Sequence, residues 1–60
     1  MSRARVARSG NMVTIIAGEG NGEKARALEN AEGKSFVKVK LTTGPNKGDI
    51  IRVAAGNYIV

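Results

Sequence analysis

Residues 13–23 have the sequence VTIIAGEGNGE, in which a short apolar segment meets a glycine-rich turn. Residues 39–49, VKLTTGPNKGD, repeat the arrangement 26 positions later, and at the same spacing Arg26 recurs as Arg52. β-Branched residues favour extended strands, and glycines supply the positive φ angles of tight turns. Each copy therefore predicts a strand, a turn and a second strand, and the two copies together predict a small barrel of two hairpins.

The rest of the chain extends this all-β pattern. Val37, Val39 and Leu41 alternate with lysines, which is typical of an antiparallel strand with one buried face. We expect five strands, at residues 12–17, 23–29, 34–41, 49–53 and 58–60. Residues 23–32 are rich in helix formers, so an α+β fold with one helix there is the alternative. Because Leu28 is the only large apolar side chain of that segment, a helix would have little to bury, and we favour the strand.

Length and composition exclude several classes of protein. Sixty residues make one domain with a thin core. The chain has no cysteine and no histidine, which removes disulfides, thiolate metal sites and the usual general base. We therefore expect no enzyme, no cofactor and no metal. No apolar run reaches the ~20 residues of a membrane span, and no signal peptide is evident. The sequence predicts a cytoplasmic protein without a membrane partner.

The net charge is positive, and the charged residues are unevenly distributed along the sequence. Ten Lys and Arg residues against five Asp and Glu give a net charge of +5. Such a domain favours polyanions, nucleic acid first, although a surplus of this size also serves solubility. Residues 1–11 contain Arg3, Arg5 and Arg8 and no acid, which predicts a flexible basic arm ahead of a barrel at residues 12–60. The arm either lies along phosphates or is a frayed terminus.

A basic strand face is the main candidate site. A turn at residues 30–33 would fix three cross-strand pairs, namely Arg26–Lys38, Lys24–Lys40 and Leu28–Phe36. Like charges directly opposite one another are destabilising, and an anionic partner would relieve the repulsion. Phe36 on this face offers a plane on which a base can stack. The alternative is a solvated face, with Phe36 capping one end of the barrel. Asp49 and Arg52 are expected to be ordinary surface residues. The candidate nucleic-acid-binding residues are Arg3, Arg5, Arg8, Lys24, Arg26, Phe36, Lys38, Lys40 and Lys47.

One motif resembles a known family. The pattern Val-x-Ile-Ile-x-Gly-x-x-x-Gly from Val13, followed by a basic alternating strand, resembles the KOW motif of SH3-like barrels in ribosomal proteins and transcription elongation factors. The matching positions are Val13, Ile15, Ile16, Gly18, Gly22, Ala25, Ala27, Leu28, Val37 and Val39. The resemblance implies a five-stranded SH3-like barrel that contacts RNA, the ribosome or RNA polymerase. The chain departs from the motif at Ala25, usually a glycine, and at Glu19 and Glu23, where ribosomal members often carry lysine.

Two functions follow from these patterns. The first is nucleic-acid binding, with RNA favoured over DNA, through the arm and the basic strand face. The second is a protein-interaction or self-assembling module that binds no nucleic acid. Several apolar residues lie outside the alternation of buried positions, which predicts burial in a homo-oligomer. They are Met12, Ile16, Ile50 and Ile59.

Overall fold

A computed structural model describes residues 6–60, which form one antiparallel sheet of five strands. The strands are β1 (Met12–Ile15), β2 (Lys24–Ala27), β3 (Phe36–Leu41), β4 (Ile50–Ala54) and β5 (Tyr58–Ile59). The described residues contain no helix, and the segment 23–32 forms β2 and the turn after it. The predicted all-β fold with five antiparallel strands is therefore confirmed, and the helical alternative is not adopted.

The strand order is β4-β3-β2-β1-β5, so β1 to β4 form a meander and β5 returns to pair with β1. Hydrogen bonds do not close the sheet into a complete barrel, because β4 and β5 are its two outer strands within residues 6–60. The turn after β4 explains this open edge. The Asn57 N–H donates to Ala54 O at 2.9 Å, and Asn57 O then accepts from the Ile16 N–H at 2.8 Å. The residues after this turn therefore form β5 alongside β1, and the outer edge of β4 is left unpaired within residues 6–60.

The sheet is strongly curled around its core. A Cβ on Gly20 would lie 3.0 Å from Ile15 Cδ1 and 3.1 Å from Ile51 Cδ1. These isoleucines belong to β1 and β4, which three strand spacings, about 14 Å, would separate in a flat sheet. Small buried side chains on the central strand β2, those of Ala25 and Ala27, leave room for its neighbours to fold over it. The largest fully buried side chains are Ile15, Val37 and Val39.

Residues 7–11, here called the N-terminal strap, pack onto one end of the sheet. Ala7 is fully buried, and its carbonyl oxygen accepts a hydrogen bond from the Ala31 N–H at 2.8 Å. The Gly10 N–H donates to Ala27 O, and the Ala27 N–H donates to Asn11 O, both at 2.8 Å. The later part of the predicted arm thus belongs to the packed unit. Its earlier part, residues 1–5, lies outside the described residues.

The pairing of β2 with β3 differs from the prediction. Arg26 lies opposite Lys40, not Lys38, so the predicted register is wrong by two residues. Hydrogen bonds just beyond β2 continue the observed register, since the Leu28 N–H donates to Lys38 O at 2.9 Å and Glu29 Oε2 accepts from the Lys38 N–H at 3.1 Å. The strap holds the turn, because the Ala31 N–H donates to Ala7 O and the Ser9 N–H donates to the Asn30 side chain at 3.2 Å. A shift of two residues leaves every side chain on its predicted face, since strands alternate with a period of two.

Candidate nucleic-acid interface

The strands and their connections carry opposite charges. All five cations of the strands are exposed on the outer face of the sheet, and this set is here called the basic face: Lys24, Arg26, Lys38, Lys40 and Arg52. None of the five strands contains an acidic residue. The acids all lie in the connections and are Glu19, Glu23, Glu29, Glu32 and Asp49. A basic band therefore crosses β2, β3 and β4, with acids toward both ends of the strands.

Cross-strand pairing concentrates the repulsion within this band. Arg26 lies opposite Lys40, and Lys38 lies opposite Arg52. Directly opposed residues have Cβ atoms about 5 Å apart, a distance at which like charges destabilise a sheet. Across residues 6–60 the ion pairs amount to one, between Lys34 Nζ and Glu29 Oε1 at 3.1 Å, and it lies in the connection between β2 and β3. None of the five cations of the basic face therefore forms an ion pair within the described residues.

Apolar side chains lie among these cations on the same outer face. Met12 is opposite Arg26, and Ile50 is opposite Lys40. Phe36 starts β3 opposite Ala54, and its side chain is 53 % exposed. The alternative interpretation required the ring to cap one end of the barrel. An exposure this large argues against that role. The outer face offers a polyanion both cations and an accessible aromatic surface.

Arg52 joins this site, although its sequence context predicts an ordinary surface residue. Its guanidinium carbon lies 5.8 Å from the centroid of the Phe36 ring, within the range of a cation–π interaction. Two forces favour this position, because Lys38 directly opposite repels the guanidinium and the electron-rich ring attracts it. The sequence did contain a signal for Arg52, namely its recurrence 26 residues after Arg26.

Glu29 organises the end of β3 next to the aromatic ring. Its Oε2 accepts a hydrogen bond from the Lys38 backbone N–H at 3.1 Å, and its Oε1 pairs with Lys34. The Lys38 N–H first, and the Lys34 ammonium second, hold the pKa of the Glu29 carboxyl below its ordinary value of 4.5. The carboxylate takes the place of a backbone acceptor just beyond the end of β2. Its negative charge is shared between the Lys34 ammonium, with which it pairs, and Lys38 of the basic face, whose charge also lowers its pKa.

The opposite end of the sheet joins two connections. The Thr43 hydroxyl donates to Glu23 Oε1 at 2.6 Å, and Thr43 Oγ1 accepts from the Lys24 N–H at 3.0 Å. Glu23 therefore has a structural role, in linking the first turn to the loop between β3 and β4. Lys47 is exposed in that same loop and lies outside the strands that carry the basic face.

The structure brings together five of the predicted site residues: Lys24, Arg26, Phe36, Lys38 and Lys40. Arg8 is exposed on the N-terminal strap, whereas Arg3 and Arg5 lie outside the described residues. In residues 6–60, no group of three or more acidic side chains is placed to hold a metal ion. The described residues also contain no helix that is long and apolar enough to cross a membrane.

Comparison with protein-family models, with curated proteins and with solved structures finds no match to this chain. The resemblance to the KOW motif therefore stays a prediction from the residues. The case for a function depends on the geometry and charge of the outer face.

Proposed function

We propose that the protein is a nucleic-acid-binding module that holds the phosphate backbone against its basic face, with RNA favoured over DNA. The observation that carries the proposal is the concentration of cations without ion-pair partners on one face of the sheet, as far as residues 6–60 show. Five exposed cations share one face, four of them are opposed in like-charged pairs, and the strands contain no acid. A bound phosphate between two opposed cations replaces repulsion by attraction, which makes this arrangement favourable in the complex.

The position of the acids supports a defined path for the ligand. Acidic residues lie in the connections at both ends of the strands, where they repel a phosphate backbone. The band across β2, β3 and β4 is left as the favourable track. Preference for RNA, and for a ribosomal or RNA-polymerase setting, comes from the KOW resemblance alone. The predicted arginines of the arm would add phosphate contacts beyond the sheet.

A salt titration tests the proposal. For a single strand, log affinity falls with log salt concentration with a slope of about −0.7 for each phosphate contacted. We expect the double variant Lys38→Glu/Lys40→Glu to bind oligouridylate far more weakly and with a flatter slope. Lys47 is the predicted binding lysine that lies outside the basic face, and Lys47→Glu should lower affinity much less than the equally charged single variant Lys38→Glu. Equal affinity of the wild type and the double variant would overturn the proposal.

Self-assembly is the second candidate, and the exposed apolar residues of the β1–β5 side favour it. Ile16 and Ile59 are 47 % and 56 % exposed, and neither β1 nor β5 contains a charged residue. Ile59 is opposite Thr14, which is opposite Lys24, so Ile59 lies on the outer face two strands away from the nearest cation of the basic face. Sedimentation without nucleic acid should then show a defined oligomer, and its thermal stability should rise with protein concentration. A monomer at all concentrations would exclude this function.

A further inference from the structure

The end of the basic face at Phe36 has a geometry that phosphate binding alone does not use. Phe36 is opposite Ala54, whose small side chain does not cover the ring, and Arg52 is the β4 residue whose guanidinium lies over it. β2 ends at Ala27, which pairs with Val39. Phe36 lies three residues before Val39, so β2 does not extend as far as Phe36. The ring is thus open to solvent and has the Arg52 guanidinium as its close charged neighbour.

We infer that Phe36 and Arg52 form a stacking subsite for one unpaired base, so that the ligand of the basic face is single-stranded nucleic acid. This inference rests on the proposed function and narrows its ligand class. A base has a flat apolar face that matches the phenyl ring. A guanidinium is planar and weakly hydrated, and it stacks on aromatic surfaces.

One strand of nucleic acid can contact both the phosphate-binding Lys38 and the stacking subsite at Phe36 and Arg52. Lys38 is two residues from Phe36 on the same face of β3, and directly opposite Arg52. Residues two apart in a strand are separated by roughly 7 Å, so a phosphate at Lys38 and a base at Phe36 lie within the reach of neighbouring nucleotides. In a duplex the bases are stacked and paired inside the helix, and none is free to meet the ring. A protein ligand with acidic side chains would match the cations but would leave the aromatic subsite unused.

A tryptophan reporter tests the subsite directly. The chain contains no tryptophan, so Phe36→Trp provides a single indole at the proposed stacking position. The probes are oligouridylate of roughly 10 nucleotides, an abasic strand of the same length and phosphate charge, and a duplex, whose two strands give it a higher charge density. We expect oligouridylate to quench the indole fluorescence, and the abasic strand and the duplex to bind without quenching it. Quenching of equal size by all three probes would overturn the inference.

Affinities of truncation variants provide the second test. Phe36→Ala should weaken oligouridylate binding by about 5- to 140-fold, the range of one lost base–aromatic stack, and leave abasic-strand binding unchanged. Arg52→Lys keeps the positive charge but removes the planar guanidinium. It should weaken the binding of oligouridylate more than the binding of the abasic strand. Ile16→Ala is the matched control, because Ile16 is an exposed apolar residue on the β1–β5 side, away from β3 and β4. It should leave both affinities unchanged.

The outcomes separate the subsite from the proposed function. Phe36→Ala could lower the affinities for oligouridylate and for the abasic strand equally, or could leave both unchanged. Either result would show that the stacking subsite is wrong, and the proposal of phosphate binding would stand. If oligouridylate shows no salt-dependent binding to the wild type, the proposed function itself fails. Equal affinity for oligouridylate and for a polyglutamate of the same charge would also overturn the inference, because the basic face would then select charge alone.

Discussion

Replacing Gly20 by alanine tests the curl of the sheet, on which the shape of the outer face depends. Gly20 has a φ of +80°, a conformation that costs an alanine about 1–2 kcal/mol. The new Cβ would also lie 3.0 Å from Ile15 Cδ1 and 3.1 Å from Ile51 Cδ1. Both methyl groups must yield by a few tenths of an ångström, which adds about 1 kcal/mol, the low end of the range for overpacking. We expect a total loss of about 2–3 kcal/mol.

Gly22→Ala is the matched control. Gly22 belongs to the same turn and has a φ of +93°, but a Cβ there would meet nothing within 4 Å. It should cost only the conformational term, about 1–2 kcal/mol. Thermal unfolding by circular dichroism measures the difference, since 1 kcal/mol shifts the Tm of a domain this small by roughly 4–8 °C. Equal losses for the two variants would refute the convergence of β1 and β4 beneath Gly20. If the convergence is real, Ile51→Val in the Gly20→Ala background should recover part of the loss, because it removes one crowded methyl group.

Two further predictions concern the ends of the sheet. The pKa of Glu29 is lowered in the folded state, so its contribution to stability is present above the ordinary value of 4.5 and is lost as the pH falls below it. Glu29→Gln should therefore be less stable than the wild type at neutral pH, and the gap in Tm should close in acid; a gap that stays constant with pH would contradict the assignment. Thr43→Val removes the hydroxyl that links Glu23 to the Lys24 N–H and should cost about 1 kcal/mol or more in urea denaturation. An unchanged midpoint would show that the two connections are held together by other contacts.

The local features of this fold were predictable from the sequence. Alternation of apolar and polar residues has a period of two, so Val37, Val39 and Leu41 identified both a strand and its buried face. The same rule placed Phe36 and Lys38 together on the outer face before any register was known. The repeat of strand and glycine turn likewise predicted that residues 23–29 would not form a helix, against their local propensity.

The features that depend on distant contacts were not predictable in this way. The turn between β2 and β3 is held by Ala7 and Ser9, more than 20 residues before it. The open edge between β4 and β5 follows from the turn that Asn57 closes. The position of the Arg52 side chain results from the charge opposite it and the ring beside it, and both depend on the register of β3 with β4. Patterns along one strand contain none of this information.

The location of the ligand on the protein is the central claim, and amide chemical-shift mapping measures it directly. Titration of the isotope-labelled protein with oligouridylate should shift the amide signals of Arg26, Lys38 and Arg52 on the basic face. The signals of Ile16 and Ile59 on the β1–β5 side should remain in place. Shifts centred on β1 and β5, or no shifts at low salt, would contradict the account.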